Sequence, residues 1–297
     1  MPSTLPTNNL NNRLSPGTLY IVATPIGNRN DITLRALNIL RSVDVIAAED
    51  TRKTRRFLAQ HDVKGRLVSY HEHNEKEKAL KLIKQLIQGT SVALVSNAGT
   101  PTLSDPGYRL IESAVASGLP IIPIPGVSAA TAALSVSGLP TDSFTFIGFM
   151  PKKKGKRLTL LGDLAAESRT LIFYESPKRV VTLLEEMVNV LGDRSGMLAR
   201  EMTKLHEEFL RGRLTEIAEN LAGRPEIKGE CTLLVAGCEN SDSVDWKSVR
   251  SEIQMALRLK TKPISQLARI VAKKYGLPKN KIYEEALKIQ EQMTGDR

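Results

Sequence analysis

Apolar residues in the first half of the chain fall into short uninterrupted runs separated by amphipathic stretches. The first run is Leu19 to Ala23, and similar runs recur at 43–48, 67–69, 91–95 and 120–124. Strands that are buried on both faces have this continuous apolar character. Between the runs, apolar residues recur at helical spacing, most clearly at Ala79, Leu82, Ile83 and Leu86. The alternation predicts an α/β domain whose mainly parallel sheet is covered by helices.

Turn-forming and polar residues between the apolar segments predict four parts of the chain. The turn Gly138-Leu139-Pro140 separates the first α/β domain from a second set of strand-like runs at 144–148, 170–174, 197–200 and 231–236. After a polar linker at 239–245, a helical stripe predicts a short helix ending at Gly276, with Pro278 leading into another. The stripe comprises Ile264, Leu267, Ala268, Val271 and Tyr275. We therefore predict a disordered leader (1–16), an N-terminal α/β domain (17–138), a second α/β domain (139–240) and a basic helical module resembling a helix-turn-helix (245–297).

The net charge of the chain indicates the class of its binding partner. The chain has 297 residues and a formal net charge of +10. Residues 245–297 contain 12 basic and 6 acidic side chains, a net of +6, so one short segment holds more than half of the excess. Basic surfaces attract polyanions, and nucleic acid is the usual one. The alternatives are a merely solvated basic surface, or a docking or dimerisation bundle.

Other compositional features exclude several classes of protein. Cys231 and Cys238 are too few for a disulfide framework or a four-cysteine metal site, and no metal is predicted. No apolar run approaches the roughly 20 residues that span a bilayer. The first residues lack the apolar segment of a signal peptide. We expect a cytoplasmic protein.

Two loops rich in glycine and proline follow predicted strands, at 96–107 and 123–130. Gly99 lets a ligand approach the backbone, and we expect Asp105 to cap the next helix and Ser128 to cap the one after it. Ligands bind at the carboxyl ends of strands in open α/β sheets. Neither loop contains a dinucleotide or triphosphate motif. The alternative is that both loops are simple turns.

Six segments in a fixed order carry a family resemblance. They are Leu19 to Asn28, Ala48 to Arg52, Ser96 to Gly107, Pro125 to Ala129, Phe173 to Pro177 and Leu198 to Lys204. Together they resemble the bacterial 16S ribosomal RNA cytidine 2′-O-methyltransferases, a branch of the tetrapyrrole methylase superfamily. The resemblance covers about residues 17–240, and the basic tail is similar to the C-terminal helices of that branch.

The resemblance implies a tetrapyrrole methylase-like α/β fold with a parallel-sheet N-terminal domain and a mixed-sheet second domain. It further implies a homodimer that binds S-adenosylmethionine between the domains and methylates a cytidine of 16S rRNA in the decoding region of the 30S subunit. The cofactor contacts implied, many of them through backbone groups, are Ile26, Gly99, Thr100, Leu103, Val127, Ser128, Tyr174, Ala199, Cys231 and Thr232.

Two departures separate this chain from the tetrapyrrole enzymes. It has Ala23-Thr24-Pro25-Ile26-Gly27 where they carry G-x-G-P-G, and Gly99-Thr100-Pro101 where they carry Gly-Asp-Pro. Both weaken the case for a porphyrinoid substrate. A small-molecule tetrapyrrole methyltransferase and a non-catalytic RNA-binding assembly factor remain the alternative functions.

Methyl transfer to a ribose hydroxyl benefits from a general base. The candidates are Glu49, Asp50, His71, Glu201 and Lys204, and each has a structural alternative: a helix cap for the first two, a solvated loop for His71 with His73, and an ion network for the last two. We expect the basic run at 152–157 to stay exposed. The candidate RNA-binding residues are Arg52, Lys152, Lys153, Lys154, Lys156, Arg157, Lys178, Arg200, Lys273 and Lys274.

Overall fold

The computed structural model describes residues 16–238, 246–259, 263–275 and 279–295. These residues form two compact units. The first runs up to Ala132 and also contains Glu201–Glu207, and the second comprises Ala133–Arg200 and the described chain from Glu208 onward. All but the last residue of the predicted leader, the linker at 239–245, Gly276 and Pro278 lie outside the described residues.

The first unit contains a five-stranded parallel sheet in the order β3-β2-β4-β1-β5. Its strands are β1 (Leu19–Val22), β2 (Val45–Ala48), β3 (Leu67–Ser69), β4 (Val92–Val95) and β5 (Ile121–Ile124). A 3-10 turn at Arg29–Asp31 follows β1. The helices are α1 (Leu34–Ser42), α2 (Thr51–Ala59), α3 (Glu75–Ile87), α4 (Tyr108–Ala116) and α5 (Ala129–Ser135), and the division between the units falls within α5. The predicted parallel α/β fold is confirmed.

Helices cover both faces of this sheet. Leu40 of α1 and Leu58 of α2 belong to the same core as Ile46 of β2. Leu86 of α3 and Leu110 of α4 belong to a separate core on the other face. Each buried leucine stabilises the fold by roughly 1.5–3 kcal/mol relative to an exposed one. Because β1 and its neighbour β4 are followed by helices on opposite faces, the loops that leave them diverge at the carboxyl edge, where doubly wound sheets bind ligands.

The side chain of Thr33 caps α1 by accepting from the Ala36 N–H at 3.0 Å. One predicted helix cap is wrong, because α4 begins at Tyr108 after Gly107, so Asp105 is not its cap.

A carboxylate from a neighbouring helix caps α4. Glu75 Oε1 accepts from the backbone N–H of Gly107 at 2.9 Å and of Arg109 at 3.2 Å. It also accepts from the hydroxyl of buried Tyr70 at 3.1 Å, and the pKa of that hydroxyl is raised, chiefly by burial and then by the nearby carboxylate. Sequence inspection missed this cap because its side chain lies on a different element of the fold.

The second unit contains a mixed sheet in the order β6-β7-β10-β8-β9, in which only β6 and β7 pair in parallel. The strands are β6 (Phe144–Phe149), β7 (Thr170–Glu175), β8 (Ser195–Arg200), β9 (Glu208–Arg213) and β10 (Cys231–Val235). Helices α6 (Lys154–Asp163), α7 (Val180–Leu191) and α8 (Leu214–Ala222) contribute to the core on one face. The mixed sheet is confirmed, although β9 was not predicted because three of its six residues are charged.

Three further helices share a small apolar core of their own: α9 (Trp246–Leu259), α10 (Ile264–Tyr275) and α11 (Lys279–Gly295). The predicted stripe on α10 is confirmed, since Leu267, Ala268 and Val271 are buried. Lys274 of α10 lies 2.7 Å from Glu252 of α9, whereas the side chain of Lys273 lies outside the described residues. Among the helices that the structure describes, none is long and apolar enough to cross a membrane.

Candidate active site

The loops that follow β1 and β4 are joined by a pair of backbone hydrogen bonds. The N–H of Thr24 donates to the carbonyl of Gly99 at 2.9 Å, and the N–H of Gly99 donates back at 2.8 Å. The hydroxyl of Thr24 also donates to the carbonyl of Ser96 at 3.2 Å. This antiparallel bridge lies beyond the ends of the adjacent parallel strands β1 and β4, and it fixes the two loops side by side.

The loop that follows β5 is held against the same pair. The hydroxyl of Thr100 donates to the carbonyl of Val127 at 3.1 Å. A Cβ atom on Gly126 would lie 2.8 Å from the Cβ of Ala23, closer than two such atoms approach. Glycine at 126 is therefore required for this approach. Three loops thus form one cradle at the carboxyl edge, which contains the predicted cofactor residues Ile26, Gly99, Thr100, Leu103, Val127 and Ser128.

Part of the cradle is strained. Thr102 and Ser104 adopt left-handed backbone angles, with φ of 75° and 63°. Such residues cost about 1–3 kcal/mol each and persist where surrounding structure holds them. The side chain of Leu103, between them, is 43% exposed. The bond from Gly107 to Glu75 holds the far end of this loop, so an exposed apolar side chain is presented on a fixed backbone.

Three of the predicted cofactor residues in the second unit lie in one row. Thr232 of β10 is the register partner of Tyr174 on β7 and of Ala199 on β8. Register partners share a face of a sheet. The ring of Tyr174 packs edge-on against Phe146 and Phe149, with centroid distances of 5.1 and 5.7 Å.

Cys231 lies on the other face of that sheet. Because side chains alternate along a strand, its thiol points away from the row of Thr232. It belongs to the buried core formed with the covering helices. Any cofactor contact at this position is therefore restricted to backbone groups.

Glu49 and Asp50 directly follow β2 and have different surroundings. The carboxylate of Asp50 caps α2, accepting from the N–H of Arg52 at 2.9 Å and of Lys53 at 3.4 Å. The hydrogen bond from the Arg52 backbone is the main cause that lowers the pKa of Asp50. Glu49 instead accepts from the N–H of Asn97, in the cradle loop after β4, at 3.2 Å. The helix-cap interpretation therefore fits Asp50, and Glu49 contacts the cradle.

His71 follows β3 and contacts Asn74. Its backbone N–H donates to Asn74 Oδ1 at 2.9 Å, and its Nε2 lies 3.2 Å from Asn74 Nδ2. Its Nδ1 is buried and has no hydrogen-bond partner in the described part of the chain. His73 is exposed, with its ring 6.0 Å from that of His71. The solvated-loop interpretation therefore describes His73 better than His71.

Glu201 and Lys204 belong to the first unit although they follow a strand of the second sheet. Lys204 Nζ lies 2.7 Å from Glu201 Oε1. In the same segment, Thr203 Oγ1 accepts from the N–H of Asn28 at 2.9 Å, and a Cβ on Gly27 would lie 2.6 Å from this oxygen. The segment therefore packs on the loop that follows β1. Sequence spacing gave no signal for this contact.

The basic run at 152–157 divides into exposed lysines and one buried arginine. Lys152, Lys153, Lys154 and Lys156 are exposed, and α6 begins at Lys154, so only the start of the run is a loop. The expectation that the whole run stays exposed is wrong for Arg157, which is 8% exposed. Its guanidinium binds both oxygens of Glu186, at 2.5 and 2.8 Å, and the carbonyls of Pro151 and Lys152, at 3.1 Å each. These acceptors satisfy the N–H donors of the guanidinium, and this offsets the free-energy cost of burying its charge.

Arg200 is also engaged within the protein. It donates to Glu208 at 2.9 Å and to the carbonyl of Lys228 at 3.0 Å. Arg224 binds the same carboxylate, and chiefly through these hydrogen bonds the pKa of Glu208 falls to about 2. Lys178 is exposed before α7. Among the described residues, no three His, Cys, Asp or Glu side chains come together as metal ligands.

Comparisons with known proteins match most of the chain. A family model described as Tetrapyrrole (Corrin/Porphyrin) Methylases matches residues 18–218. A relative from Halalkalibacterium halodurans is 47% identical over 276 residues, covering 90% of this chain and 93% of its own. One from Micromonospora olivasterospora is 44% identical over 269 residues, covering 91% and 86%. Both are named ribosomal RNA small subunit methyltransferase I.

Two solved structures show the same fold. A cobalt precorrin-4 methyltransferase has a TM-score of 0.54 at 20% identity, covering 74% of this chain and 95% of its own. The uroporphyrin-III C-methyltransferase of Thermus thermophilus, solved with S-adenosylhomocysteine, has a TM-score of 0.53 at 22% identity, covering 74% and 97%. At these identities the likeness concerns the fold alone.

Proposed function

We propose, from the premise that this chain belongs to the tetrapyrrole methylase family, that it transfers a methyl group from S-adenosylmethionine to a cytidine ribose of 16S rRNA. The observation that carries the proposal is the 44–47% identity to proteins named ribosomal RNA small subunit methyltransferase I, over 86% or more of each chain. The family fold with its three-loop cradle supports the methyl-transfer chemistry, and the relatives' name supports the RNA substrate.

The cradle fits an S-adenosyl cofactor. This cofactor, when bound, supplies an electrophilic methyl group on a sulfonium and carries no phosphate, so the lack of a phosphate-binding motif is no obstacle. Loops fixed to one another by Thr24, Gly99 and Thr100 offer a rigid backbone surface. Exposed Leu103 offers an apolar surface to a nucleoside base. Rigid positioning of both reactants supplies roughly 7–11 kcal/mol of barrier lowering in well-oriented reactions. Cofactor contacts at Tyr174, Ala199 and Thr232 stay a prediction, and Ala199 and Thr232 are buried.

Among the candidate bases, Glu49 has the most suitable surroundings. Its half-buried carboxylate contacts the cradle through the N–H of Asn97, whereas Asp50 is committed to capping α2 and has a lowered pKa. A lowered pKa makes the carboxylate of Asp50 a weaker proton acceptor. Lys204 is paired with Glu201.

A matched pair of variants tests this role. Glu49→Gln lowers kcat by about 10²–10⁴-fold while leaving cofactor affinity intact, because the amide cannot accept the proton. Asp50→Asn retains a good helix cap and leaves kcat near the wild-type value. An unchanged kcat in Glu49→Gln, or an equal loss in both variants, removes Glu49 from this role.

A ribosomal substrate fits better than a tetrapyrrole. The position that carries aspartate in the tetrapyrrole enzymes is Thr100, whose hydroxyl is turned onto the carbonyl of Val127. The four exposed lysines at 152–156 and Lys178 offer phosphate contacts. We further propose that the protein acts as a cytoplasmic homodimer on the decoding region of the 30S subunit, as the resemblance implies.

Methyl transfer to three acceptors tests the proposal. Labelled S-adenosylmethionine is incubated with the protein and, separately, with 30S particles, with naked 16S rRNA and with uroporphyrinogen III, the RNA coming from a strain that lacks the activity. Label on a ribose oxygen of one cytidine is the expected result. Label only in the tetrapyrrole supports the small-molecule alternative, and no label with any acceptor supports the non-catalytic one.

A further inference from the structure

The two helical layers of the first unit differ in charge. Helices α1 and α2, on one face of the sheet, contain six basic residues and no acidic residue within their bounds. Helices α3 and α4, on the other face, contain five basic and three acidic residues. The layers therefore carry +6 and +2. The α3–α4 face is solvated with mixed charges and a net charge of only +2. Solubility therefore does not require the net charge of +6 on the α1–α2 face.

Helix α2 concentrates this charge on one side. At about 100° per residue, Arg55, Arg52, Arg56 and Lys53 fall in that order within an arc of about 160°. All four are exposed, whereas Thr54 and Leu58 on the opposite side are buried. The helix is about 14 Å long, so its basic side can meet several successive phosphates of an RNA strand.

Three of these four cations lack a counter-ion among the described residues. The only carboxylate that pairs with them in the described part of the chain is Asp50, which lies 3.5 Å from Arg52, and that arginine is 89% exposed. Lys53, Arg55 and Arg56 form no ion pair with the described residues. By contrast, the buried arginine Arg157 binds the carboxylate of Glu186. Like charges on one helix repel one another, and a polyanion relieves this repulsion.

The position of α2 also favours contact with a substrate. The helix begins directly after Asp50, and the preceding residue, Glu49, bonds to Asn97 of the cradle. Its first turn therefore starts beside the loop proposed to hold the cofactor.

We propose that the basic side of α2 (Arg52, Lys53, Arg55 and Arg56) is a docking surface for the phosphate backbone of the substrate RNA. This inference rests on the proposed function and specifies where the RNA lies. The four side chains hold phosphates flanking the target nucleotide, so that its ribose is brought to the cradle. Because these contacts are to phosphates, they contribute affinity and register rather than sequence choice.

A matched pair of triple variants tests the surface. Lys53→Gln/Arg55→Gln/Arg56→Gln removes three charges from α2, and Lys76→Gln/Lys81→Gln/Lys84→Gln removes three exposed charges from α3 on the other face. Glutamine is nearly as good a helix former as lysine or arginine, so both proteins are expected to fold. The measurements are the affinity for 16S rRNA across a salt series, the affinity for S-adenosylmethionine, and the melting temperature.

The α2 triple is expected to weaken RNA affinity by about 10–100-fold and to reduce the slope of log K against log salt by about 2–3, since each lost phosphate contact removes about 0.7–0.9. Its cofactor affinity stays at the wild-type value and its melting temperature does not fall, because removing like charges from α2 relieves repulsion. The α3 triple changes RNA affinity by less than about threefold, which is the long-range effect of net charge alone. Arg55→Lys/Arg56→Lys retains most of the affinity, because both positive charges remain.

Equal losses in the two triples, or an unchanged α2 triple, overturn the inference while the proposed function stands. A wild-type protein that transfers no methyl group to any RNA defeats the proposed function itself. The two failures are distinguished by the wild-type assay, which is run first.

Discussion

Removal of Glu186 is expected to destabilise the second unit because it leaves a buried guanidinium without its counter-ion. The side chains of Arg157 and Glu186 are each only 10% exposed and are joined by two hydrogen bonds. Breaking such a pair from one side typically costs 3–5 kcal/mol. We expect Glu186→Leu to lose about that amount of unfolding free energy.

The double variant separates charge from packing. In Arg157→Met/Glu186→Leu both charges are gone, and apolar groups fill a similar volume, which is often neutral for a buried pair. Two costs remain, because the carbonyls of Pro151 and Lys152 lose their guanidinium donor, at about 1 kcal/mol each. We therefore expect the double variant to lie about 2 kcal/mol below the wild type and above Glu186→Leu.

Urea unfolding followed by circular dichroism measures these differences through the midpoint, at an unchanged slope. A Glu186→Leu protein within 1 kcal/mol of the wild type refutes the structural role of the pair. So does a double variant less stable than Glu186→Leu, since relief of the unpaired charge is the core of the reasoning.

Three further predictions concern the cradle and one surface network. Gly126→Ala forces the loops after β1 and β5 apart, because the new Cβ meets Ala23, and calorimetry should show at least tenfold weaker cofactor binding. Glu75→Ala removes the cap of α4 and the hydrogen-bond partner of the Tyr70 hydroxyl, and should lower the free energy of unfolding by about 1–3 kcal/mol. Glu75→Gln keeps an acceptor and should lose less of this free energy. Equal losses in the two variants would contradict the capping role. Because the pKa of Glu208 is lowered, its carboxylate stabilises the fold at pH values above its unfolded pKa near 4.5, and this contribution is lost as pH falls through about 2. Glu208→Gln should therefore flatten the profile of unfolding free energy against pH between about pH 5 and 2. An unchanged profile would rule out this carboxylate as the cause of the pH dependence.

Local pattern was sufficient to predict the strands and helices of the first unit. Leu67–Ser69 has the predicted bounds, because polar residues flank this short run on both sides. The cradle loops were also predicted, since glycine and proline after a buried strand mark a carboxyl edge. To predict the fold family together with the methyl-transfer chemistry, the six ordered segments of the family resemblance were needed.

Contacts between distant segments were beyond local pattern. Glu75 caps α4 from 32 residues away, and Arg157 is buried because Glu186, 29 residues on, neutralises it. Glu201–Glu207 packs in the first unit although the flanking strands belong to the second. In each case the sequence alone predicts that a charged side chain is exposed to solvent, because the partner that engages it lies far away along the chain.

The most direct test of the cofactor cradle is a crystal structure of the protein with S-adenosylhomocysteine. We expect the nucleoside to lie against the backbone of Gly99, Thr100 and Val127, with Leu103 against its base. A nucleoside bound at another edge of the fold, with these loops making no contact to it, would contradict this placement.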